Sequence, residues 1–253
     1  MADNIVFKQD LFRYVFPSGV PRDSFIVVSG EGGSGKSVIL AHIVKDVLAY
    51  GEPVIYIALD DDPDTVLSSL KSFRVDVDSV CSERLLQVID GFSYLLIAKK
   101  PYMHKCVVET ITPEKPENLV LALIKVADSI GLVKKGAIII DSLNESMITL
   151  DPSRFVFLVK SIRANLSKAR GILTVASLHT STQSLRDYLF LVEHIVDGII
   201  ETQSLPPEVS QHIPIFVRGL IVRKMKRTPY KQGVVLFGID EEGIKPVMIR
   251  TTS

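Results

Sequence analysis

The sequence predicts an α/β fold: a mostly parallel central sheet flanked by helices, with antiparallel strands at the C-terminal end. Short runs rich in Val and Ile alternate with longer amphipathic segments, the pattern of strands buried on both faces by helices. From Asp197 onward the strand-like runs follow one another without long helices, which reads as an antiparallel extension of the same sheet. A length of 253 residues suits one domain over 1–253.

The elements follow in order. FIVVS at 25–29 is the first strand, and the helix after it runs from Lys36 to Tyr50, ending at Gly51, a residue suited to a left-handed cap. PVIYIAL at 53–59 is the second strand. Asp62-Pro63 and Asp151-Pro152 each pair an N-cap with the proline that favours the first helical position, so a helix starts at each. LLQVID at 85–90, GAIIID at 136–141 and ILTVASL at 172–178 complete the parallel set. DGIIE, FVRGLIVRKM, GVVLFGI and IKPVMI are the late strands, and SLPPEVSQHIP at 204–214, with three prolines, reads as a poorly ordered insertion within the domain.

Composition narrows the function classes. Lys plus Arg equals Asp plus Glu at 29 each, so no net field draws the molecule to nucleic acid or to an anionic membrane. Cys81 and Cys106 are too few for a disulfide framework and lack metal-ligand spacing; they read as small hydrophobes suited to a reducing cytoplasm. The N-terminus lacks a signal-peptide core and no run of about 18 apolar residues occurs, so the expectation is a cytoplasmic protein without a membrane partner.

The stretch GEGGSGKS, comprising Gly30, Glu31, Gly32, Gly33, Ser34, Gly35, Lys36 and Ser37, fits the phosphate-loop pattern and lies between an apolar strand and an amphipathic helix, as that motif requires. Glycines let backbone N–H groups turn inward around phosphates, and the helix N-terminus adds partial positive charge. Lys36 would reach the β and γ phosphates, and Ser37 would hold Mg²⁺. AIIID at 137–141 delivers Asp141 to the carboxyl edge of the sheet, where it would hold Mg²⁺ through water; as a bare local pattern it also reads as a turn or capping Asp. The residue after it is Ser142, not a glutamate, so a water-activating base is not beside it. No N-K-x-D guanine motif occurs, which leaves ATP as the nucleotide.

Taken in order, GVPRDSFIVVSGEGGSGKS, VIYIALDDDPDTVLSSL, IIIDSLNES, LRDYLFLVEHIVDGIIE and RGLIVRKMKRTPY resemble a single-domain KaiC/RadA-type ATPase of the RecA superfamily. The resemblance covers nearly the whole chain and implies a RecA-like core, MgATP bound between subunits of a homo-oligomeric ring or filament, and a hydrolytic carboxylate at the end of the second strand. There the family carries paired glutamates, whereas this chain carries Asp60 and Asp61; both inherit the role of polarising water, while Asp62 is a helix cap. Locally the three read equally as a solvated acidic turn. Aspartate is one methylene shorter, and a misplacement near 1 Å costs on the order of 100-fold in rate, so slow hydrolysis or none is implied. Lys224 and Lys226 match the late strand's cations, which in the family reach the γ-phosphate of the neighbouring subunit; the sequence leaves open whether Lys226 or Arg227 is that cation, and alone it reads as a solvated basic strand end. His179 stands where a polar γ-phosphate sensor sits in such proteins, while His42, His104, His194 and His212 read as structural or surface residues.

Three functions follow: a slow ATPase whose occupancy controls oligomer state or partner binding, a non-hydrolysing ATP-binding regulatory subunit of the archaellum-accessory type, and a recombinase paralogue acting on DNA. The last is not favoured. LNESMITLDPSR and HTSTQSLRDY carry three cations and little aromatic surface, whereas single-strand binders need a cationic groove with stacking platforms.

Overall fold

The computed structural model describes residues 3–98, 102–113, 115–205, 217–240 and 243–248. Its strands are β1 (Asn4–Ile5), β2 (Val20–Pro21), β3 (Phe25–Gly30), β4 (Val54–Ala58), β5 (Leu86–Asp90), β6 (Val107–Thr110), β7 (Ala137–Asp141), β8 (Leu173–His179), β9 (Gly198–Ser204), β10 (Val217–Met225), β11 (Val234–Asp240) and β12 (Gly243–Pro246). Its α-helices are α1 (Asp10–Val15), α2 (Lys36–Leu48), α3 (Pro63–Ser72), α4 (Val77–Ser82), α5 (Pro116–Ser129), α6 (Asn144–Thr149), α7 (Pro152–Ile162) and α8 (Gln183–Glu193). Among the described residues ten strands form one sheet in the order β12-β11-β10-β9-β3-β8-β7-β4-β5-β6.

The expected α/β class and its antiparallel C-terminal part are both present, with the antiparallel pairing starting one strand later than expected. β9, the DGIIE run, lies parallel to β3 on one side and antiparallel to β10 on the other. Every residue of β3 is buried, and alternate side chains divide between two cores: Ile26 and Val28 face α1 and α2, while Phe25 and Val27 face α5, α7 and α8. The Asp-Pro signals work as expected. Asp62 accepts from the backbone N–H groups of Asp64 and Thr65, and Asp151 from those of Ser153 and Arg154, satisfying donors that a helix start otherwise leaves open. The insertion expected at 204–214 lies outside the described residues from 206 on, as does His212.

The cysteines correct the sequence reading. Cys81 on α4 and Cys106 just before β6 are joined by a disulfide with Cα atoms 5.2 Å apart, and His104 offers a ring nitrogen within 4.8 Å of both sulfurs. The pairing links segments 25 residues apart that meet only because β6 returns alongside β5. The thiols therefore supply no argument for a reducing compartment. Closing a loop of that length removes denatured-state entropy worth about 3 kcal/mol. Cys81→Ser with Cys106→Ser is expected to lower the unfolding free energy by about that amount in guanidinium titrations. An unchanged midpoint for the variant, and for wild type with dithiothreitol, would show that the bridge contributes nothing.

His42 on α2 is 1% exposed, packs its ring 5.1 Å from that of Phe73, and neither ring nitrogen has a partner among the described residues. Burial, with Lys45 nearby, pushes it down to about 4. Because the folded value lies below the unfolded one, the unfolded chain binds more protons between the two. Stability is then full above about pH 6.5 and falls by about 1.4 kcal/mol per unit towards pH 4, about 3 kcal/mol in all. Urea titrations at pH 7, 5.5 and 4.5 should show that slope in wild type and a flatter one in His42→Leu; equal slopes would remove His42 as its source.

Candidate functional site

The loop after β3 is shaped by contacts that demand glycine. A Cβ on Gly30 would stand 2.4 Å from the Thr202 carbonyl oxygen on β9, and Gly35 adopts φ +102° as the N-cap of α2. Ser34 braces the turn from inside, its hydroxyl 2.8 Å from both the Glu31 carbonyl and the Thr202 hydroxyl. Gly32 and Gly33, by contrast, have open space where a Cβ would be. No side chain caps the start of α2, so its first N–H groups are directed at the loop, the arrangement that binds anions at helix N-termini. Lys36 is buried and donates from Nζ to the carbonyls of Gly30 at 3.0 Å and Glu31 at 2.7 Å. Burial lowers its pKa against the pull of Asp141, Asp60 and Glu31. Ser37 lies exposed on the first turn of the same helix.

Sheet register sets an acidic and polar row beside this loop. Gly30 at the end of β3 is level with His179 at the end of β8, and Ala58 at the end of β4 is level with Asp141 on β7. The chain after β4 is held by its neighbour, since the N–H groups of Leu59 and Asp60 both donate to the Asp141 carbonyl, at 2.7 and 3.2 Å. Asp141 accepts from the Tyr56 hydroxyl at 2.6 Å on Oδ2 and from the Ser177 hydroxyl on Oδ1. Burial raises its pKa in spite of those two donors, and burial beside Asp141 drives the Tyr56 phenol well above its ordinary value. Asp60 differs. Burial works against its charge, yet hydrogen bonds from His179 and Ser142 hold it below the usual carboxylate value.

Both candidate carboxylates are exposed residues, and Asp60 is the one that faces the row, with Oδ2 3.4 Å from His179 Nε2. The donor set around Ser37 and Asp141 is all oxygen, the chemistry Mg²⁺ takes. Both Asp141 oxygens already accept hydrogen bonds, so the residue suits a metal held through water better than one bound directly. Ser37 and Asp141 are thus the residues that could hold the ion, and the loop from Gly30 to Ser37 those that could hold phosphates.

Lys224 and Lys226 lie elsewhere. Met225 on β10 pairs with Gly198, which pairs with Ile26 near the start of β3, so both lysines sit at the edge of the sheet opposite the phosphate loop. A strand the length of β3 separates the two edges by about 17 Å. Lys224 Nζ donates to the Glu193 carbonyl at the end of α8, and Arg227 binds Asp23 at 2.6 Å. No side-chain partner is found for Lys226 among the described residues.

The sequence reading missed Tyr56, Ser142, Asn144, Ser177 and Arg218. Ser142 and Asn144 follow Asp141 directly, a signal that could have been used; Arg218, whose Nε lies 3.3 Å from the Gly33 carbonyl, gave none.

A glycine-rich loop at the carboxyl edge of a parallel sheet, with an acidic strand end two strands away, is the arrangement that P-loop nucleotide-binding proteins share. A family model described as the KaiC ATPase matches residues 6–250, and the chain belongs to that family. UPF0273 protein MJ1359 of Methanocaldococcus jannaschii is 29% identical over 91% of this chain and 90% of its own, and UPF0273 protein PF1931 of Pyrococcus furiosus is 28% identical over 91% and 88%. Among solved structures, the KaiC-like protein PH0186 of Pyrococcus horikoshii superposes with a TM-score of 0.75 at 17% identity, covering 98% of this chain and all of that one, which establishes the shared RecA-like fold. No helix among the described residues is long and apolar enough to cross a membrane.

Proposed function

We propose that residues 1–253 act as one RecA-like unit that binds Mg·ATP and hydrolyses it slowly, its occupancy controlling oligomer state or partner binding. The observation that carries this reading is the loop from Gly30 to Ser37 with Lys36 across it, at the same edge of the sheet as Asp60 and Asp141, whose charges act on Lys36. In this reading the loop's backbone and Lys36 hold the phosphates, Ser37 and, through water, Asp141 hold Mg²⁺, and Asp60, with Asp61 beside it, supplies the negative charge that polarises the attacking water. Calorimetry with Mg·ATP tests it. Lys36→Ala should raise Kd roughly 100-fold, the loss of about 3 kcal/mol of charge-assisted bonding, and light scattering should report a change in mass or in partner affinity on ATP addition in wild type only. No heat with wild-type protein would end the proposal.

The position of Lys224 and Lys226 supports a homo-oligomer with ATP at subunit interfaces, because within one chain neither can reach the phosphate loop. Lys226 is the trans-acting cation in this reading, since Lys224 and Arg227 are engaged within their own chain. Such a cation contributes roughly 10³ to 10⁵ in rate. Lys36→Ala and Lys226→Ala proteins should each be inactive alone, yet a mixture should recover hydrolysis where a Lys36→Ala subunit lends Lys226 to its neighbour's intact loop. A mixture as inactive as its parts would place Lys226 outside the reaction.

A non-hydrolysing regulatory subunit is the second reading, favoured by aspartates standing where the family carries glutamates. Action on DNA finds little support in a chain of zero net charge.

A further inference from the structure

We infer that the group touching the attacking water is the His179 imidazole, with Asp60 orienting it as a His–Asp dyad; this rests on the Mg·ATP reading above. His179 closes β8, level with Gly30, and its neighbour Thr180 donates its N–H to the Gly30 carbonyl at 3.0 Å, so the residue is tied to the start of the phosphate loop. Its backbone is clamped from the other side. The Asn144 side chain accepts the His179 N–H at 2.7 Å on Oδ1 and donates from Nδ2 to the His179 carbonyl at 3.3 Å. Ser142 holds Asn144 in turn, its hydroxyl accepting the Asn144 N–H at 3.1 Å. These bonds fix the backbone from which the ring projects.

The imidazole presents Nε2 to Asp60 Oδ2 at 3.4 Å. A charged carboxylate only accepts, so a hydrogen bond across this contact requires the tautomer with its proton on Nε2, which leaves the Nδ1 lone pair for a second partner. The His179 side chain is 38% exposed, so solvent reaches the ring. Asp141 and Lys36 also face this group of residues, and Arg186 of α8 donates to the Thr180 carbonyl beside it.

In the step so assigned, a water O–H bond breaks and its proton passes to Nδ1 as the oxygen bonds to the γ-phosphorus. The bond from that phosphorus to the bridging oxygen breaks, and ADP keeps the electron pair. The imidazolium, balanced by Asp60, then returns its proton to phosphate or solvent.

The experiment compares the full-length wild type, His179→Ala, His179→Gln and Asp60→Asn, measuring Mg·ATP affinity by calorimetry and phosphate release in a single turnover. Both His179 variants should keep Kd within about threefold, which also shows that they are folded, while their rate falls roughly 10²- to 10⁴-fold, the range for loss of a positioned proton acceptor. Added imidazole should restore part of the rate to His179→Ala and none to Asp60→Asn. Wild-type rates in either His179 variant, or no rescue by imidazole, would overturn the dyad. So would a wild type that binds Mg·ATP without releasing phosphate, an outcome that leaves the binding reading intact; a wild type that binds no Mg·ATP removes that reading and the dyad with it.

Discussion

The candidate site depends on β3 being held at a fixed height between two parallel strands. At its lower end, Asp197 and Phe25 exchange backbone and side-chain hydrogen bonds: the Asp197 N–H reaches the Phe25 carbonyl at 2.8 Å, and the Phe25 N–H reaches Asp197 Oδ2 at 3.0 Å. Asp197 is a buried carboxylate, its side chain 2% exposed, and it is tolerated because Arg163 and Lys168 lie within 2.9 and 3.2 Å. Burial opposes its charge, but these cations and the Phe25 N–H hold its pKa below the ordinary value. At the upper end the Thr180 N–H pins Gly30. A strand fixed at both ends can neither slip nor tilt, and a slip of one residue would exchange its two buried faces.

That fixed height explains why polar groups so distant in sequence share one edge. The parallel strands β3, β8, β7 and β4 all run towards one edge, where β3 and β8 end level at Gly30 and His179, β7 stops two residues short at Asp141, and Asp60 follows two residues beyond the Ala58 that pairs with Asp141. Antiparallel β10 runs the other way and ends at the opposite edge with Lys224. Strand direction alone therefore sorts the acidic row from the late cations.

Much of this was legible because it follows local rules. The glycine pattern, the Asp-Pro caps and the apolar strands each depend on neighbours a few residues away, and all reappear in the structure. What the sequence hid depends on register. The VVET strand β6 is short and half exposed at the sheet edge, so it lacks the continuous apolar run of the buried strands, and without it Cys81 has no visible partner in Cys106. The Asn144 clamp on His179 spans 35 residues and exists only because β7 and β8 are neighbours. Tyr56 was absorbed into an apolar strand pattern, although its hydroxyl emerges on Asp141.

The opposed placement of loop and cations also bears on assembly. In the reading proposed above, the late lysines serve a nucleotide bound to another copy, because a rigid sheet about 17 Å deep stands between them and their own loop. An interface that joins the upper edge of one chain to the lower edge of the next uses two different surfaces, so it cannot close on itself as a two-fold dimer does. Repeated, it yields a ring or a helical filament, with every loop but an end one facing a neighbour's cations. A site divided in this way is complete only where subunits meet, and the same contact that would finish the chemistry would make assembly sensitive to what the loop holds.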